Sequence, residues 1–217
     1  MMGKLMLSLI FLGLVVSFGY CEESKQTNQL ILKANAPGGE TELLFRVKVS
    51  SLGLQVSSQF VKDKKPDDVI EISLPGRLYE PNIQIKEISK DAINRNTPED
   101  AELSIYSANK KGDAQWILDS WAQEDQKNIQ DLLNDFLSKN TDIFQSMDRS
   151  YITGRAEYKN YILLFIQNLF KDGRKSPVIH TYIKTTGGWK ATNALSADET
   201  FDVIFAALRS GQVILKK

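Results

Sequence analysis

Along residues 43–49 apolar and polar side chains alternate, with Leu43, Phe45, Val47 and Val49 set against Leu44, Arg46 and Lys48. A period of two predicts a strand with one buried face. The triplet Leu30, Ile31 and Leu32 predicts an earlier strand, with Pro37-Gly38-Gly39 as the turn between them. Further strands are predicted over 54–61, 69–74 and 82–88. They are separated by the charged loop 62–68, read as solvated, and by Pro75-Gly76, read as a stop. These segments read together as a small all-β unit.

At Thr97 the period changes. Thr97 is placed to cap a helix, Pro98 suits its first position, and Glu99 and Asp100 oppose the positive end of its dipole. Ala101, Ile105 and Ala108 form its apolar face, with Tyr106 beside it, and Gly112 stops it. Asp113 is expected to cap a second short helix over 114–122, carrying Trp116, Ile117 and Trp121. A third begins near Asp125, where Ile129, Leu132, Leu133, Phe136 and Leu137 repeat at helical spacing. Asn140 is expected to end it, with Ile143, Phe144 and Met147 forming a further turn.

The stretch 158–195 predicts three consecutive antiparallel strands, over 158–169, 177–186 and 189–195. Asp172-Gly173 and Gly187-Gly188 make the turns, since glycine supplies the positive φ that tight hairpins need. In the first strand Ile162, Leu164 and Ile166 alternate with Tyr161, Leu163 and Phe165, so both faces are apolar and both need cover. Helices can cover one face; the other is expected to meet the β unit or a homodimer partner. Ser196 and Glu199 predict a capping box opening a last helix. Its stripe of Phe201, Ile204, Phe205 and Leu208 docks on the meander, and 213–215 adds an edge strand.

Composition narrows the function classes. The 217 residues are 42% hydrophobic and 25% charged, with a formal net charge of zero and no basic stripe. Nucleic-acid binding is therefore not expected. Residues 1–21 read as a secretory signal peptide: Lys4, then an apolar core shorter than the roughly 20 residues that span a bilayer, then small residues suiting cleavage after Gly19 or after Cys21. The predicted location is exported, periplasmic or secreted. Cys21, the sole cysteine, is a candidate lipidation site, although Phe18 and Tyr20 depart from the lipoprotein pattern. Membrane attachment would follow only from lipidation or an uncleaved signal. The expected organisation is a signal peptide (1–21), a small β unit (22–90) and an α+β domain (97–217).

The run 97–125, TPEDAELSIYSANKKGDAQWILDSWAQED, resembles the opening helices of the nuclear-transport-factor-2-like superfamily, which includes polyketide-cyclase and ketosteroid-isomerase relatives. Its capped first helix, the Lys111-Gly112-Asp113-Ala114 break and an aromatic second helix carry the likeness. The Asp172-Gly173 hairpin and Gly188-Trp189-Lys190 extend it to about residue 195. The resemblance implies a conical α+β domain with helices closing over a curved sheet, often around a pocket. Members range from isomerases and dehydratases to non-catalytic binding modules, so fold does not decide function.

Chemistry-bearing residues are few. His180 is the only histidine, and strand alternation puts it with Val178, Tyr182 and Lys184 on one face. Tyr106, Tyr161, His180 and Tyr182 are the pocket candidates, with His180 and Tyr182 suited to proton transfer and hydrogen-bond donation. No acid stands at a spacing that would orient the histidine. One histidine and no cysteine beyond Cys21 imply no metal site, and no cofactor motif occurs. The expected role is a non-catalytic accessory or small-ligand-binding protein, taking a small apolar ligand or an envelope protein partner. The alternatives are an isomerase or dehydratase acting in a cone pocket, and a component of an envelope or secretion assembly.

Overall fold

The computed structural model describes residues 41–52, 61 and 63–215. The signal peptide, Cys21, the strand over 30–32 and nearly all of the strand over 54–61 lie outside the described residues.

Helix α1 (Pro98–Lys111) forms as its ends dictate. Thr97 Oγ1 accepts the Asp100 amide at 3.1 Å, and Gly112 closes it in the left-handed region at φ 65°. Asp113 accepts the Trp116 amide at 2.9 Å and opens α2 (Ala114–Asp119). Helix α3 (Gln123–Ser146) does not stop at Asn140. No glycine or proline interrupts it there, and the stripe through Leu133 and Leu137 continues to Phe144, so Ile143 and Phe144 form its last turns rather than a separate one.

Seven antiparallel strands make one sheet among the described residues: β1 (Thr41–Lys48), β2 (Val69–Gln84), β3 (Met147–Tyr158), β4 (Tyr161–Phe170), β5 (Lys175–Thr185), β6 (Gly188–Ala191) and β7 (Val213–Leu215). Their order is β6-β5-β4-β3-β2-β1-β7. Strands β1 and β2, from the segment expected as a small β unit packed on the meander, continue the meander's own sheet. Strand β3 was not expected. Strand β6 stops at Ala191, short of residue 195, because Ala191 bonds the segment before α3: its amide donates to the Ser120 carbonyl at 2.9 Å and its carbonyl accepts the Ala122 amide at 2.8 Å.

Pro75-Gly76 is a corner, not a stop. Strand β2 runs through it and merges two expected strands, ending at Gln84 rather than Ile88. A Cβ at Gly76 would strike the Arg155 carbonyl oxygen and lie 2.8 Å from Leu43 Cδ1, so only glycine admits the approach of β3. Register shifts between Leu78 and Ile83, and between Ile152 and Gly154, bend the sheet further. The Phe45 and Phe165 rings consequently meet edge to face at 5.8 Å. Their strands, β1 and β4, lie three places apart, about 14 Å in a flat sheet.

Both faces of β4 are covered within the chain. Ile162, Leu164 and Ile166 pack under α1, α2 and α3 with Ile105, Trp116 and Phe144. Leu163 and Phe165 pack with Leu43 and Phe45 of β1 and with Phe201 and Ile204 of helix α4 (Glu199–Arg209). Asp198, not Ser196, caps α4: its carboxylate, a stronger acceptor placed next to the helix, takes the Thr200 and Phe201 amides at 2.9 and 3.2 Å. The chain is mixed α+β. Among the described residues no helix is long and apolar enough to cross a membrane.

Candidate functional site

The first turns of α1 lie over the helix-covered face of the sheet and bring Glu99 and Glu102 down onto it. Beneath them a cross-strand row runs Arg77, Arg155, Leu164, His180, one residue from each of β2 to β5. Residues directly opposite in such a row point to the same face. The buried Leu164 fixes that face as the helix side. Two residues further along their strands, Tyr79 and Tyr182 point the same way.

Glu102 is the centre of this seam. One oxygen, Oε2, lies 2.7 Å from His180 Nδ1 and accepts the Tyr182 hydroxyl at 2.6 Å. Glu102 is 2% exposed and Tyr182 0%, whereas the His180 side chain keeps 16% of its surface. The trio therefore reaches outward only through the imidazole. Burial, then the adjacent Glu102, pushes the Tyr182 phenol well above its ordinary value, so it remains a proton donor.

One turn earlier Glu99 anchors a second group. It accepts the Tyr79 hydroxyl, lies 3.4 Å from Arg155 Nη1 and 3.9 Å from Arg77 Nη2. Arg77 Nε donates to the Tyr79 oxygen at 3.3 Å, and its guanidinium lies 5.1 Å from the Tyr79 ring centroid. Burial first, then Glu99, pushes the Tyr79 phenol up to about 12, against the lowering influence of Arg77. The seam is graded: Glu102 and Tyr182 at its buried end, His180, Glu99 and Arg155 between, and Arg77 most exposed.

The sequence candidates separate. His180 and Tyr182 come together, as strand alternation requires. Tyr106 lies on the same side but packs edge to face on Phe144 at 5.6 Å, with Lys110 Nζ 5.9 Å from its ring. Tyr161 is corrected: on β4 it falls on the opposite face, against the α4 cluster, and shares no site with His180. Glu102, Glu99, Tyr79, Arg77 and Arg155 were not anticipated. A signal for Glu102 existed, since it is three residues from Ile105 and four from Tyr106 on the inward side of α1.

A buried carboxylate between an imidazole and a phenol can orient the ring and fix its tautomer. It cannot itself reach a ligand. No protein-family model and no curated protein matches the chain. A solution structure of a SEC-C motif containing protein from Rhodopseudomonas palustris is similar over 46% of this chain and 77% of that one, at 18% identity and a TM-score of 0.34.

Proposed function

We propose that the chain is an exported, non-catalytic small-ligand-binding protein of the nuclear-transport-factor-2-like type. Its ligand meets the outer part of the seam, at His180, Arg155 and Arg77. The observation that carries this reading is the commitment of Glu102. An isomerase-type site needs a carboxylate that faces its substrate, yet Glu102 spends one oxygen on two internal donors at 2% exposure. What the seam presents outward is an imidazole and two guanidinium groups, which suit recognition of an anionic or hydrogen-bond-accepting group. The resemblance of 97–195 supports the fold type, and the apolar segment of residues 1–21 supports export.

Native mass spectrometry of the mature protein purified from its own extracellular or periplasmic fraction tests this. A small molecule retained by the wild type and released by Arg155→Ala and by His180→Ala is expected. Ligand-free wild type, or retention indifferent to both substitutions, overturns the proposal. A second reading has one observation in its favour: the 2.7 Å contact between Glu102 and Nδ1 is how a carboxylate positions a general base. Turnover of the retained molecule that falls in Glu102→Gln while binding persists would select that reading.

A further inference from the structure

At the β6 edge of the sheet, Arg95 and Lys190 converge on the carboxyl end of α2. The Arg95 backbone is fixed against β6, its carbonyl accepting the Trp189 amide at 2.9 Å. Gly188, at φ 93°, packs so tightly beneath it that a Cβ would stand 2.6 Å from that carbonyl oxygen. The side chain follows: Nη2 reaches the Ser120 hydroxyl at 3.5 Å, and Nε is buried with no hydrogen-bond partner. Lys190 Nζ donates to the Asp119 carbonyl.

Among the described residues neither cation forms an ion pair. Asp119, the acid close enough to influence both, is held by Gln115 at 2.9 Å. Two half-buried like charges beside one engaged carboxylate are costly, and a buried guanidinium nitrogen left unpaired adds to the cost. Burial lowers the pKa of both groups, and Arg95 lowers that of Lys190 further. A six-residue helix end with its weak dipole does not compensate two cations.

We propose that Arg95, braced by the Ser120 hydroxyl whose own proton goes to the Trp116 carbonyl at 2.8 Å, and Lys190 form a binding site for a small oxyanion, a phosphate or a carboxylate group. The anion neutralises the pair and takes guanidinium and ammonium donors that no acidic side chain uses. The site lies at the α2–β6 edge and does not depend on the seam around Glu102.

Amide chemical shifts of the full mature chain, titrated with phosphate, acetate and chloride at constant ionic strength, test it. Saturable shifts at Ser120, Trp189 and Lys190 are expected with an oxyanion. Saturation by phosphate alone assigns a phosphoryl ligand, and saturation by acetate assigns a carboxylate. Lys190→Met should weaken the interaction about tenfold or more, and Lys190→Arg should retain it. Shifts that chloride reproduces, or binding to Lys190→Met as tight as to the wild type, overturn the proposal.

Discussion

Replacing Glu102 by leucine keeps the side-chain volume close to native and removes the acceptor. The Tyr182 hydroxyl, at 0% exposure, then has no partner, and His180 Nδ1 loses its own. An orphaned buried hydroxyl costs about 1–3 kcal/mol, and the partly exposed imidazole less because water can reach it. Hydrogen bonds to a carboxylate lie at the upper end of that range, about 1.5–3 kcal/mol. Glu102→Leu is therefore expected to destabilise by about 3 kcal/mol. Tyr182→Phe alone should cost roughly 1 kcal/mol. Added to Glu102→Leu it should recover about 1–2 kcal/mol, because the orphan disappears with the hydroxyl. Urea unfolding followed by the fluorescence of Trp116, Trp121 and Trp189 reads all four proteins, and an unchanged m-value shows that stability is what moved. A Glu102→Leu loss under about 1 kcal/mol, or a Tyr182→Phe penalty equal in both backgrounds, would refute the reasoning.

Three further predictions concern the rest of the fold. Asp202 on α4 is raised from 3.8 to about 6, by burial first and then by Asp198 and Glu199. A carboxyl raised by folding contributes most at low pH and loses that contribution as pH climbs through 6. Asp202→Asn should thus stabilise at pH 7.5 and change little at pH 3.5. The full displacement corresponds to about 3 kcal/mol, which solvent screening at a half-buried site reduces to roughly 1 kcal/mol in urea unfolding. Gly76→Ala should cost about 1–3 kcal/mol or more, since the new methyl meets the Arg155 backbone and lies 2.9 Å from Ala156 Cα. Gly187→Ala, whose nearest contact would be 3.8 Å away, should stay within about 0.5 kcal/mol of wild type by thermal melting.

The elements legible in the sequence are those whose signal is local. Thr97, Gly112 and Asp113 state the ends of α1 and α2, and Asp172-Gly173 states a hairpin, because caps and turns are settled within a few residues. Strand β3 escaped because its inward positions include Ser150, Gly154 and Ala156, small side chains that carry little hydrophobic contrast. The Gly76 corner escaped because the need for glycine lies in the Arg155 backbone, 79 residues away in the chain. The site divides in the same way. Alternation put His180 and Tyr182 on one face, and the same rule separates them from Tyr161, whose pairing partner is Ile183. Glu102 meets them across 78 and 80 residues, a distance over which no spacing rule operates, and an acid near a helix start reads locally as a partner of the dipole.

His180 is the only histidine, so its ring nitrogens give an unambiguous signal in a long-range ¹H–¹⁵N correlation spectrum. If Glu102 is the acceptor for both neighbours, the neutral ring carries its proton on Nδ1, and Glu102→Gln weakens that preference. A neutral ring protonated predominantly on Nε2, unchanged by Glu102→Gln, would contradict the committed carboxylate on which the binding reading rests.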